Sequence, residues 1–141
     1  MACIQSGDRY RLTNVKSGTT LDLSGGDNRS IIGYQYHGGP NQAWTFRRTG
    51  NLWIIESQGK YLTIDVDQGL RDGTQVIAES GPFEWLVEDE PGFDGVIRLL
   101  VPGTNFNIDL SDHGNPTPGT KVELWGKWDG HNQLWKLDKV Q

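Results

Sequence analysis

The sequence predicts an all-β fold built from about twelve short strands. Three observations carry this. Glycine is frequent, at 19 of 141 residues, and six tryptophans accompany it, so many turns go with large aromatic side chains. Apolar and polar residues alternate over short runs, with Gly, Pro, Asn and Asp in the gaps. No apolar stripe at i, i+3, i+4, i+7 lasts three turns, so helix is a minor component.

The strands fall into three repeats, at about 8–47, 48–91 and 92–141. Each opens with a short alternating strand, "YRLTNV", "LWIIES" and "VIRLLV", and a glycine follows each, at Gly18, Gly59 and Gly103. An apolar-Asp-apolar core comes next, around Asp22, Asp65 and Asp109. The glycine-to-aspartate spacing is four in the first unit and six in the others, which predicts a short deletion in the first. A tryptophan closes each unit, at Trp44, Trp85 and Trp135. In the third repeat the strands are expected at 96–101, 106–110, 120–125 and 133–137. Repetition at this period calls for one architecture. It is a closed barrel capped by hairpins with pseudo-threefold symmetry, a β-trefoil, in which closure removes exposed sheet edges. The three tryptophans are expected to be buried at equivalent places.

Composition narrows the function. A chain of this length favours one domain spanning 1–141, and burial of roughly two-thirds of its unfolded surface requires no staple. The net charge of −5 and the lack of a basic run argue against nucleic acid and anionic membranes. Cys3 is the single cysteine, which fits a reducing compartment. The start "MACIQSGDRY" has no apolar h-region, so a cytoplasmic location is expected. No run approaches eighteen apolar residues, so no membrane insertion is expected. His37, His113 and His131 lack zinc-site spacing, and no nucleophile or nucleotide motif occurs. Neither metal nor cofactor is expected, and catalysis is disfavoured.

Two stretches share more than their tryptophan. "GPNQAW" at 39–44 and "GHNQLW" at 130–135 both read Gly-x-Asn-Gln-x-Trp. With an aspartate early in each repeat, this pattern resembles the ricin B-chain-like (R-type) lectins, and the chain is similar to their short single-domain fungal members. The resemblance covers nearly the whole chain. It implies that each repeat can hold one galactose-type sugar. The Asp would accept hydrogen bonds from sugar hydroxyls, an aromatic ring would stack on the apolar sugar face, and the Asn would bind another hydroxyl. The motif's Gln and Trp would mostly support the fold. The chemistry is sound in itself. A carboxylate accepts charge-assisted bonds from hydroxyls, an amide both donates and accepts, and a ring covers a C–H patch.

The third repeat keeps every part: Asp109, Glu123, Trp125 and Asn132 are its candidate residues, and "KVELWGKW" supplies Trp128 beside Trp125. Val122 and Leu124 take the inward phase, so Glu123 and Trp125 should face outward. The first repeat keeps Asp22 and Asn41. Alignment on the third strand sets Gly33 opposite Glu123 and Gln35 opposite Trp125, so the tryptophan is missing there. Tyr34, Tyr36 and His37 are the candidate stacking groups, with His37 or Tyr36 taking over from the tryptophan, and Gly33 would leave room for a backbone contact. On the resemblance, the first repeat ranks narrowly ahead. The second repeat keeps Asp65, but its third strand "TQVIAESG" has no aromatic, and Pro82 and Phe83 stand where Asn and Gln belong. It is expected to be vacant.

The expected function is metal-independent binding of glycans or glycoproteins carrying galactose (β-galactosides) or N-acetylgalactosamine. With one working site, agglutination would require self-association, as in a homodimer. The alternative is a β-trefoil protease inhibitor acting through an exposed loop, "DEPGFDG" (89–95) or "NPTPG" (115–119).

Overall fold

The computed structural model describes residues 3–140. It contains twelve strands: β1 (Arg9–Asn14), β2 (Thr20–Leu23), β3 (Ile31–Tyr34), β4 (Trp44–Thr49), β5 (Leu52–Ser57), β6 (Lys60–Ile64), β7 (Val76–Glu79), β8 (Glu84–Asp89), β9 (Val96–Leu100), β10 (Phe106–Leu110), β11 (Thr120–Gly126) and β12 (Trp135–Val140). Every pairing is antiparallel. Strands β1, β4, β5, β8, β9 and β12 pair in a ring, each with the next and β12 with β1. The other six form the hairpins β2–β3, β6–β7 and β10–β11. The hairpins meet at Thr120↔Gly33 and Lys121↔Ile32, at Ser30↔Ile77 and at Gln75↔Glu123, so every pair of repeats is bridged. This is the closed barrel with a threefold cap of a β-trefoil.

Inward phases fill the barrel. Leu12, Phe46, Ile55, Leu99, Ile108, Val122 and Leu124 are fully buried, as are Trp44, Trp85 and Trp135. The tryptophans also satisfy their indole N–H groups alike. Trp44 Nε1 donates to the Leu21 carbonyl at 3.0 Å, Trp85 Nε1 to Leu62 at 2.8 Å and Trp135 Nε1 to Ile108 at 3.4 Å. A buried indole needs that acceptor, and the repeat supplies it each time. The last strand starts at Trp135, because His131–Gln133 forms a 3-10 turn.

This indole register corrects one alignment. The residue after each acceptor is Asp22, Thr63 and Asp109, and their strand partners are Ile32, Ile77 and Glu123. Thr63, not Asp65, therefore holds the second repeat's equivalent place. Gly18 to Asp22 and Gly59 to Thr63 are equally spaced, so the first repeat has no deletion; the third has two extra residues before Asp109. The apolar-Asp-apolar triplet at Asp65 matched two residues out of phase.

Candidate functional site

The Asn-Gln motifs sit on single 3-10 turns, Pro40–Gln42 and His131–Gln133, just before the closing tryptophans. That placement turns the Asn and Gln amides back onto the aspartate of the neighbouring hairpin. In the first repeat Asn41 Nδ2 donates to Asp22 Oδ1 at 3.1 Å and to the Leu23 carbonyl at 3.2 Å. Gln42 Nε2 donates to Asp22 Oδ2 at 2.9 Å and to the Gln35 carbonyl at 2.8 Å. The third repeat repeats this network. Asn132 Nδ2 reaches Asp109 Oδ1 and the Leu110 carbonyl, each at 3.1 Å. Gln133 Nε2 reaches Asp109 Oδ2 at 2.9 Å and the Gly126 carbonyl at 3.0 Å. Each carboxylate is thus buried, fixed in rotation and still short of its full acceptor capacity.

The same glutamines place a ring. Gln42 Oε1 accepts from the His37 backbone N–H, and Gln133 Oε1 accepts from the Trp128 backbone N–H, both at 3.0 Å. His37 and Trp128 are therefore equivalent, and both are exposed. Each ring folds back over the first glycine of its motif. A Cβ on Gly39 would lie 2.7 Å from Asn41 Oδ1 and overlap the His37 ring; one on Gly130 would overlap the Trp128 ring. Only glycine admits so close an approach, which is why Gly-x-Asn-Gln recurs as a unit.

Two clefts result. The third-repeat cleft, of about 270 Å³, is lined by Asp109, Asp112, His113, Glu123, Trp125, Trp128 and Asn132. All four residues expected there line it, and Glu123 and Trp125 face outward while Val122 and Leu124 are buried. Asp112, His113 and Trp128 also line it and lay outside the expected set, although Trp128 stands in the same stretch as Trp125. The first-repeat cleft is larger, about 550 Å³, and Asp22, His37 and Asn41 line it with Ile32, Tyr34, Ser24, Gly25, Gly26, Asn28 and Gln58.

Gly33 and Tyr36 do not belong to that cleft. Gly33 is buried, and a Cβ there would meet Thr19 Oγ1 at 2.7 Å and Leu110 Cδ1 at 2.9 Å. Tyr36 lies elsewhere, under the Arg11 guanidinium, whose carbon is 4.2 Å from the ring centroid. For Gly33 the cause is a one-residue slip, which sends a strand's side chains to the opposite face; Tyr36 lies beyond the end of β3 at Tyr34. Ile32, not Gly33, is the counterpart of Glu123, and Tyr34, not Gln35, is the counterpart of Trp125. Counting back from the motif would have found this, since Tyr34 precedes Asn41 by as many residues as Trp125 precedes Asn132.

The second repeat has no such assembly. Asp65 receives Asp67 N–H at 3.2 Å and Gln68 Nε2 at 3.0 Å, and pairs with Arg29 at 3.7 Å. Phe83 packs on Trp85, with ring centroids 4.9 Å apart.

Electrostatics divide the two clefts. Burial pushes the Asp109 carboxyl up to about 6 and the nearby Asp72 adds to this, against the bonds from Gln133 and Asn132 and the neighbouring His113. Glu123 is also raised, by burial first and then by Asp109 and Asp72. Asp22 is raised by burial, and Gln42, Asn41 and His37 oppose the shift. Behind the third cleft lies Arg98, which is almost wholly buried. It donates to Gln133 Oε1 and Asn107 Oδ1 at 3.0 Å, to the Trp128 carbonyl at 2.9 Å and to Glu90 at 3.0 Å. Its counterpart Arg11 stacks on Tyr36 and pairs with Asp138 at 3.5 Å, while its Nε is buried without a partner. Among the described residues, no group of three or more His, Cys, Asp or Glu could hold a metal ion, and no helix is long and apolar enough to cross a membrane.

Comparison with known proteins agrees with this fold. The family model described as ricin-type β-trefoil lectin domain-like matches residues 3–79. The chain is similar to the solved structure of a Macrolepiota procera ricin B-like lectin in complex with lactose, at 47% identity and a TM-score of 0.94, covering 99% of this chain and 100% of that one. A designed threefold-symmetric protein follows at 25% identity and a TM-score of 0.84, covering 94% and 99%. The Rhizoctonia solani agglutinin, at 24% identity, TM-score 0.84 and coverage of 99% and 100%, shares the fold. No curated protein matches the chain. With the repeated Asp-Asn-Gln network in place, the chain belongs to the ricin-type β-trefoil lectin domain-like family.

Proposed function

We propose that this protein is a metal-independent lectin for galactose- or N-acetylgalactosamine-terminated glycans, with its principal site in the first-repeat cleft. One observation carries the reading: a buried Asp22 carboxylate, held on both oxygens by Asn41 and Gln42, faces an open cleft with the aromatic rings of Tyr34 and His37 on its wall. Asp22 would accept sugar hydroxyls, Asn41 would bind a further hydroxyl, and a ring would cover the C–H face. The relative solved with lactose supports the sugar class. The third cleft is the second site. It is narrower and lined by three carboxylates, which a neutral sugar would have to desolvate at a cost.

Binding rather than hydrolysis is the chemistry proposed. A glycosidase needs one carboxylic acid free to give up a proton beside a second carboxylate. Asp22 is the single carboxylate lining the first cleft, and both its oxygens already accept amide N–H bonds. The inhibitor alternative rests on the loops 89–95 and 115–119 alone and has no paired geometry behind it.

The test is calorimetric titration with lactose in the presence of EDTA. Weak, reversible binding is expected, because an open site buries little area. Asp22→Ala should remove the stronger site, with a loss of about 1–3 kcal/mol there. Unchanged binding in that variant, or loss on chelation, would reject the assignment.

A further inference from the structure

The second repeat has no sugar site of its own, yet its first hairpin turn reaches the first repeat's cleft. We infer that Gln58, at the tip of the β5–β6 turn, is a specificity-determining residue that binds the second pyranose of a galactoside. This rests on the first-repeat site proposed above.

Four observations converge on it. Gln58 lines the cleft that holds Asp22. The turn that carries it is tied to the motif: the buried Ser57 hydroxyl donates to the Pro40 carbonyl at 2.9 Å, one residue before Asn41. Gln58 therefore stands at a fixed place relative to Asn41. Its backbone is unusual as well. Ser57 pairs with Lys60, leaving a two-residue loop in which Gln58 has φ 53° and Gly59 has φ 78°. Such a turn favours Asn-Gly or Gly-Gly, and a long side chain at positive φ is disfavoured. A glutamine at such a φ points to use of its side chain. Finally, among the described residues the Gln58 amide makes no hydrogen bond, so both donors and its acceptor are free.

The third repeat shows the same relation between neighbours. The β1–β2 turn places Lys16 against Gly114 beside Asn132: a Cβ on Gly114 would lie 2.6 Å from Lys16 Cγ and 2.9 Å from Asn132 Cβ. The first-repeat cleft is edged by the hairpin turn of the following repeat, and in the third repeat the corresponding turn packs on Gly114 without lining the cleft. A terminal galactose seated on Asp22 and Asn41 fills the inner part of the first cleft. The next sugar unit then lies toward the rim, where an amide can meet its hydroxyls or an N-acetyl group.

The experiment compares lactose with methyl β-galactoside on the wild type and on Gln58→Gly, by calorimetry under one set of conditions. Glycine suits the positive φ, so the variant should fold as the wild type does. The wild type is expected to prefer lactose. In Gln58→Gly the lactose affinity should fall about fivefold, the worth of one hydrogen bond, while methyl β-galactoside binds as before. Gln58→Asn should recover part of the gap. A preference for lactose that survives Gln58→Gly overturns the inference, and so does an equal loss for both ligands. A wild type that binds both ligands equally well also overturns it while leaving the first-repeat site standing. A wild type that binds neither sinks the site itself and this inference with it.

Discussion

The first and third clefts share a polar network almost atom for atom, yet their walls differ in charge. Asp22 faces Ile32 across the hairpin, whereas Asp109 faces Glu123. The ring over the motif glycine is His37 in one and Trp128 in the other. A buried arginine ties Gln133 and Trp128 together behind the third cleft; behind the first, Arg11 turns away to Tyr36. The Asp-Asn-Gln set is therefore scaffold as much as site. It fixes a carboxylate and seats a ring, and the third strand of each repeat then decides what the cleft can hold.

The arginine contrast is broken most directly by Arg98→Met. Arg98 satisfies Glu90, Asn107, Gln133 and the Trp128 carbonyl at once, and it is almost wholly buried. Its removal strands those acceptors, so a stability loss of about 3–5 kcal/mol is expected in urea unfolding. In the folded fraction the third cleft should lose its ligand and the first should keep it. Equal loss at both clefts would mean that Arg98 supports only the barrel.

Acidity sharpens the comparison next. Asp109 titrates at about 6 in the folded chain against 3.8 for its ordinary value. The folded state thus holds this proton more tightly than the unfolded state. Its contribution to stability is greatest below pH 3.8 and falls as pH rises toward 6. Ligand binding has the opposite sign, because sugar hydroxyls donate to the ionised carboxylate. Lowering the pH from 7 to 5 should weaken the third cleft by about tenfold, since at pH 5 Asp109 lies one unit below its titration point. Asp22 is raised by burial too, but has no carboxylate neighbour like Asp72 among the causes of its shift. The first cleft should lose less. A lactose titration followed at the Trp128 indole by NMR reads the third cleft, and one followed at the His37 ring reads the first. Parallel losses at both would remove the electrostatic distinction.

The fold was legible because the barrel imposes period two on its strands and repeats one tryptophan three times, and both signals survive in a single sequence. Asn41 and Asn132 were legible for a similar reason, as each sits three residues before that tryptophan, and Asp22 and Asp109 were legible as the centres of an apolar-Asp-apolar core. The third strands were harder to read. Their alternation puts Ile32 and Tyr34 in the cleft and Gly33 in the core, and one residue of slip exchanged them. Trp128 was visible beside Trp125, but it lies in a loop with no periodicity, and its backbone N–H bond to Gln133 and its ring over Gly130 are what mark it as the counterpart of His37. Gln58 could not be read at all from its own repeat, because it serves the cleft of another. Asp65 was the opposite case, a motif match without the place.

Asp65 gives the smallest expected effect and a direct check on the register. If the indole acceptors define the repeat, Thr63 occupies the aspartate's place and Asp65 is a local turn former. Its carboxylate caps the turn Val66–Gln68 by accepting the Asp67 N–H, and it binds Gln68 and Arg29. Asp65→Ala should then cost about 1 kcal/mol of stability, the usual value for a lost N-cap, and leave sugar binding unchanged at both clefts. Thr63→Asp tests the other half. It puts a carboxylate at the equivalent place, but Pro82 and Phe83 offer no amide side chain to hold it, and Ile77 stands across the hairpin. A nearly buried carboxylate without those amides should destabilise the fold and gain no ligand. A third binding event in Thr63→Asp would show that the aspartate alone makes a site. Its absence, beside unchanged binding in Asp65→Ala, would show that the Asn-Gln amides are what turn a buried carboxylate into one.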